Sequence, residues 1–266
     1  MRGVVACEAL YPLVERFAPD APVRYIPAEL HEFPVNVPVD AAIGDRVQAA
    51  VDDLDDPGLE AIVLSYAASG DGLIGIATEH VPLLVSRAAD CTSTVLPGDE
   101  NEYGENKASG TLYLTRGWMD CGVDSYKLYT AYRGDTDELI DRFEAARDDH
   151  PSLRVTWPDG DRFHRAQQSH PTSSESLDRF FHSVVQYYDR VTVVDTGDLF
   201  PVHHDYAEAV RTFIERLRRE FGTGERVDLS IVEGRTDRIE TVLTGRIVES
   251  TVATLLDPGE PYDPGS

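Results

Sequence analysis

Three cysteines, Cys7, Cys91 and Cys121, and the histidine His31 carry side chains that bind soft metals or act as nucleophiles. Their placement follows a pattern. The apolar run Val4-Val5-Ala6 leads into Cys7-Glu8, and Val23–Ile26 is followed by Pro27, Glu29 and His31. Ala61–Leu64 leads to Ser69-Gly70-Asp71-Gly72, and Val81–Val85 leads to Asp90-Cys91-Thr92. In an open parallel sheet, ligands bind just outside the carboxyl ends of the strands. Four strands in succession are therefore expected to deliver Cys7, His31, Ser69 and Cys91 to one sheet edge. Gly70, Asp71, Gly72 and Asp90 form the rest of that ligand edge.

A helix is expected to begin near Cys91, where backbone amides at its N-terminus would favour the thiolate, the form that ligates metal or attacks carbon. Burial as a small apolar side chain is the plainer alternative for Cys7 and Cys91. It is the preferred reading for Cys121, in Met119-Asp120-Cys121-Gly122, which falls outside the strand-end pattern. Asp195, at the end of VTVVD and ahead of Thr196-Gly197, is either a further ligand-edge residue or the cap of the loop that follows it. Asp-Thr-Gly also occurs in aspartic proteases, but their chemistry needs two such carboxylates sharing a proton, and this chain has one such motif. His203 and His204 point apart as neighbours, and both are expected at the surface.

The elements that must position these residues alternate. Strands at Gly3–Ala6, Val23–Ile26, Ala61–Leu64, Val81–Val85, Thr111–Thr115, Val191–Val194, Val227–Val232 and Thr251–Leu256 are separated by amphipathic stretches. In the stretch from Ile43 to Leu54, the apolar positions Ile43, Val47, Ala50, Val51 and Leu54 share a helical face. Helices are also expected at Leu10–Phe17, from Asp135 or Thr136 to Asp148, from Thr172 or Ser173 to Tyr188, at Tyr206–Phe221 and at Asp237–Leu243. Pro158–Ser174 is polar and reads as a surface loop. This alternation predicts an α/β fold: a largely parallel, Rossmann-like open sheet with helices on both faces. The 266 residues suffice for one α/β domain or for two lobes, residues 1–120 and 121–266.

Gly70-Asp71-Gly72-Leu73-Ile74-Gly75 matches the dinucleotide fingerprint GxGxxG. About eight residues separate it from the next strand, too few for the crossover helix that a βαβ unit needs. The glycines are better read as a tight turn or as close backbone approach to a ligand.

Charge sets further bounds. The chain carries 48 acidic and 24 basic residues, for a net charge of −24, and its only lysines are Lys107 and Lys127. Acid spread along the whole chain, with lysine nearly eliminated, reads as adaptation to high salt rather than as a surface for basic partners. It also argues against nucleic acid and anionic membranes as partners. No apolar run approaches the ~18 residues of a spanning helix. The chain starts directly in a strand, without the pattern of a signal peptide, so a cytoplasmic location is expected. An odd number of cysteines with no CxxC pair fits a reducing compartment.

The blocks LHEFP, SYAASGDGLIGI, VSRAADC, GTLYLTRGW and VVDTG, with the closing LLDPGE, occur in an order that resembles the domain-of-unknown-function 1638 family. The resemblance implies strand-end cysteines and a histidine forming a soft, zinc-like metal site. Cys7, His31 and Cys91 fall on matching positions, while Ser69 stands where the family pattern has a third cysteine. Three protein ligands would leave one coordination position open. Family members often occur beside corrinoid-dependent methyl-transfer proteins, which implies one-carbon chemistry and such proteins as partners. A metal-free module holding a small ligand or a corrinoid partner on the same edge is the alternative.

Overall fold

A computed structural model describes residues 1–28, 39–66, 71–98, 107–133, 137–158 and 174–263. His31, Ser69, Gly70 and most of the polar stretch 158–174 lie outside the described residues. The chain divides into two compact units, one of Met1–Lys107 with Gly234–Ser266 and one of Ala108–Glu233.

The first unit is built on a five-stranded sheet. Its strands are β1 (Gly3–Cys7), β2 (Val23–Ile26), β3 (Ile62–Ser65), β4 (Leu83–Ser86) and β8 (Ala253–Leu256), in the spatial order β2-β1-β3-β4-β8. The first four are mutually parallel, and β8 pairs antiparallel with β4, closing one edge. Every residue of β1, β3 and β4 is buried. Continuous apolar runs such as IVLS and LLVS are what a parallel strand covered on both faces requires.

Helices α1 (Tyr11–Phe17), α2 (Val39–Leu54) and α8 (Asp237–Thr244) belong to this unit. α2 buries Val47, Val51 and Leu54, and α8 buries Ile239, Val242 and Leu243, both at helical spacing. A Cβ on Gly44 would stand 3.0 Å from the Gly72 carbonyl oxygen, so this glycine permits α2 to approach the 3-10 turn Asp71–Leu73 closely. Arg2 donates to the carbonyls of Val242 and Leu243 and ties the chain start to the last turn of α8, where a cation also complements the helix dipole.

The second unit holds β5 (Thr111–Thr115), β6 (Arg190–Asp195) and β7 (Asp228–Glu233), all parallel, in the order β5-β6-β7. Its helices are α3 (Arg116–Cys121), α4 (Ser125–Arg133), α5 (Asp137–Asp149), α6 (Ser174–Val185) and α7 (Pro201–Glu220). Leu114, Val191 and Val193 of the sheet pack with Leu177, Phe181 and Val185 of α6, and with Tyr206, Val210, Phe213 and Leu217 of α7.

The fold class is therefore α/β with mostly parallel open sheets and interleaved helices. The alternation expected over the whole chain is divided between two sheets. α7 begins at Pro201, five residues before the expected Tyr206. Pro201 suits the first turn, and the Phe200 amide donates to His203 Nδ1 at 2.8 Å, which fixes the helix start.

Candidate functional site

Strand order locates the site in the first unit. β1 has β2 on one side, while the chain next crosses to place β3 and β4 on the other. The crevice at the carboxyl ends of β1 and β3 is therefore the topological switch point, where open α/β sheets take their ligands. The order β5-β6-β7 in the second unit runs in one direction and has no such reversal.

Cys7 is the last residue of β1 and is fully buried. Its backbone leaves the strand at φ −59°, ψ 135° to begin the 3-10 turn Glu8–Leu10. The register pairs Val5 with Leu64 and Ala6 with Ser65, so one step further places Cys7 level with Tyr66. Tyr66 is 2% exposed. Burial pushes its phenol up, and the nearby Cys7 and Cys91 thiols push it further, so it stays protonated at neutral pH and is a donor, not a base. Cys91, half-buried, is thus on the same sheet edge as Cys7, and both thiols act on one phenol. The cysteines are not joined in disulfides.

Asp90 shapes the Cys91 loop. One carboxylate oxygen accepts from the Ser93 amide at 2.7 Å and from its hydroxyl at 3.0 Å, while Lys107 pairs with the other. Burial works against the Asp90 charge, but the Lys107 and Ser93 bonds outweigh it and hold the carboxyl below the usual range. Residues 91–95 form hydrogen-bonded turns instead of the expected helix. Thr94 and Leu96 amides bond to the Asp90 and Thr92 carbonyls, and Pro97-Gly98 ends the run. Without a helix, its N-terminal dipole cannot be what activates Cys91.

Glu8 accepts from the Ala28 amide at 3.4 Å, joining the end of β1 to the segment after β2. The Ser65 hydroxyl, one residue before Tyr66, is buried with no hydrogen-bond partner among the described residues. A buried hydroxyl left so costs about 1–3 kcal/mol. Among the described residues no group of three or more His, Cys, Asp and Glu side chains is arranged to hold a metal. His31 and Ser69 are not among them.

Asp195 ends β6 of the second unit. It accepts from the Gly197 amide at 2.7 Å, with Gly197 at φ 83°, so its carboxylate caps that turn. Cys121 is fully buried in α3, as expected for a small apolar side chain. The surface expectation holds for His204, which is exposed, and fails for His203, which is fully buried. His203 Nδ1 accepts from Phe200, so its proton sits on Nε2, which donates to Asp120 Oδ1 at 2.8 Å.

His203 belongs to a polar cluster that sequence patterning does not reveal. Arg116 reaches Asp120 and the carbonyls of Ser152 and Asp198. Lys127, also fully buried, donates to the Met119 carbonyl at 2.7 Å and the Thr156 carbonyl at 3.0 Å. Asp124 caps α4 through the Tyr126 and Lys127 amides and accepts from the Tyr206 hydroxyl at 2.7 Å. The near-absence of lysine elsewhere in the chain is the one signal that marks Lys127. With His203, Asp120 and Lys127 all buried, this cluster fastens helices α3, α4 and α7 to one another and to the loops at Ser152, Thr156 and Asp198 rather than meeting a substrate.

No helix of the described residues is long and apolar enough to cross a membrane. No curated protein and no solved structure matches the chain. Residues 26–240 match the model of a family described as a protein of unknown function, DUF1638. That span includes His31, Ser69 and Cys91 together with the whole second unit, and the chain belongs to this family.

Proposed function

We propose that the chain binds a soft, zinc-like metal ion at the switch-point edge, with Cys7 and Cys91 as thiolate ligands and His31 as the nitrogen ligand. The observation that carries this reading is that both thiols, Cys7 at the end of β1 and Cys91 in the loop after β4, act on the buried Tyr66 phenol at the end of the intervening β3. Anionic sulfur beside another acidic group repels it, and a divalent cation among them offsets that repulsion. Thiolate and imidazole donors suit zinc and not magnesium or calcium. Glu8 ties the end of β1 to Ala28, and His31 follows three residues later in the sequence.

A bound metal would supply Lewis-acid character and hold an incoming thiol deprotonated. Ser69 in place of a third cysteine leaves a position for such a group. Cys7 would be the buried ligand and Cys91 the half-buried one. The family resemblance extends this to methyl transfer alongside corrinoid proteins.

Cobalt(II) substitution tests the reading. Sulfur-to-cobalt charge-transfer absorption in the wild type, reduced in Cys91→Ser, supports it. The other reading is a metal-free module holding a small ligand on this edge. Native mass spectrometry showing a retained organic ligand and no cobalt uptake would favour it.

A further inference from the structure

We propose that the second unit carries a separate binding cleft for a small molecule with a flat apolar body and one anionic headgroup, a carboxylate or a phosphate. The cleft is an open groove among α4, α5 and α7 of about 650 Å³, within the size range of small-ligand sites. Its floor is apolar and aromatic, formed by Tyr126, Tyr129 and Phe213. Three guanidinium groups line it, those of Arg133, Arg142 and Arg216, against two carboxylates, those of Asp205 and Glu208. Asp178 and Glu220 pair with Arg133 and Arg216 just beyond the lining, so the cleft offers oriented guanidinium donors and not a net positive field.

The arginines are set rather than loose. Arg133 holds Asp178 through both carboxylate oxygens at 2.8 and 2.9 Å, and its guanidinium lies 5.2 Å from the Tyr129 ring centre. Arg216 lies 4.9 Å from the same ring. Arg142 pairs with Asp205 through one nitrogen, and Arg216 meets Glu220 at 3.3 Å. Each guanidinium carries five donors, so donors remain on both for an incoming headgroup. The aromatic floor takes the body of the ligand, and the planar guanidinium matches either oxyanion in bidentate fashion.

Calorimetric titration of the full chain, in salt that keeps it folded, tests this with phenyl phosphate and phenylacetate as probes. Benzyl alcohol lacks the charge and inorganic phosphate lacks the body. The expected result is saturable binding of at least one aromatic anion, with both control probes at least tenfold weaker. Arg142→Gln and Arg216→Ala should each weaken binding about tenfold, while Arg226→Ala, 83% exposed and outside the cleft, should leave it unchanged. Whichever aromatic anion binds more tightly identifies the headgroup. Absence of saturable binding by both, or equal binding by the two cleft variants and the wild type, would overturn the proposal.

Discussion

Asp120 and His203 lie 83 positions apart in the chain and meet at 2.8 Å with both side chains fully buried. The carboxylate also receives Arg116 of its own helix at 3.4 Å, so it joins α3 to the start of α7. A carboxylate, a guanidinium and an imidazole taken out of water hold their energy only as a complete set. Asp120→Ala removes the acceptor of the buried His203 N–H and one carboxylate partner of the buried Arg116. Removing one partner of a buried charged pair costs about 3–5 kcal/mol. Urea unfolding of this variant should show a loss of that order, and a loss below about 1 kcal/mol would show that the cluster is dispensable.

Lys127 makes stability depend on pH. Burial lowers its amine to about 8, against a partial upward pull from Asp124 and Asp120. The unfolded lysine keeps its proton to about 10.4. Between those values the unfolded state holds more protons, so stability rises with pH across that window. Below about 8 both states carry the charge and the full penalty of burying it remains. Tyr206, whose phenol burial and Asp124 push well up, works the opposite way above about 10, where only the unfolded tyrosine ionises. The urea midpoint should climb from about pH 8 and turn over near about pH 10. In Lys127→Met the climb should vanish while the fall remains, and an unchanged climb would assign it to another group.

The net charge of −24 predicts salt dependence. Carboxylates repel over a Debye length of about 10 Å at 0.1 M salt, which shrinks to about 3 Å at 1 M. Circular dichroism should show the folded signal decaying as salt falls below molar levels. A full signal at millimolar salt would contradict adaptation to salt and would favour an acidic surface kept for basic partners.

Phe181 tests the core of the second unit. It is 2% exposed and meets Tyr129 edge-on at 5.4 Å between ring centres. Phe181→Ala should cost about 3–5 kcal/mol. It should also disturb the arginine-lined cleft, since Tyr129 forms part of the cleft floor. A smaller loss in urea unfolding would mean that the neighbouring rings close over the gap.

How much of this the sequence reveals depends on what each residue contributes. β1, β3 and β4 are legible because buried parallel strands need unbroken apolar runs, and that places Cys7 at the end of β1 and Cys91 beyond β4. Pairing order is not legible, since Val4 carries no mark of its neighbours Val23 and Val63. The switch point and the division into two sheets therefore need the fold. The antiparallel pairing of β8 is hidden for the same reason. Tyr66 escapes notice because it follows directly on an apolar strand and reads as more core. His203 is misjudged because polarity predicts exposure and only tertiary partners reverse it, and nothing in its local sequence marks Lys127 as buried. Cys91 looks like a helix start until the Asp90 carboxylate takes the Ser93 amide and sets a turn.

Metal content tests the central claim most directly. Protein produced under reducing conditions in high salt should carry about one zinc-like ion per chain by elemental analysis, as one four-coordinate site implies. Cys91→Ser removes a half-buried ligand and should lose most of that metal. Cys121→Ser should retain it, since that side chain lies within α3 of the second unit. Ser69→Cys should hold it more tightly against a chelator by completing the ligand set. Wild-type protein without metal, together with a Ser69→Cys variant that gains none, would contradict the account and leave Cys7 and Cys91 as structural residues of the sheet edge.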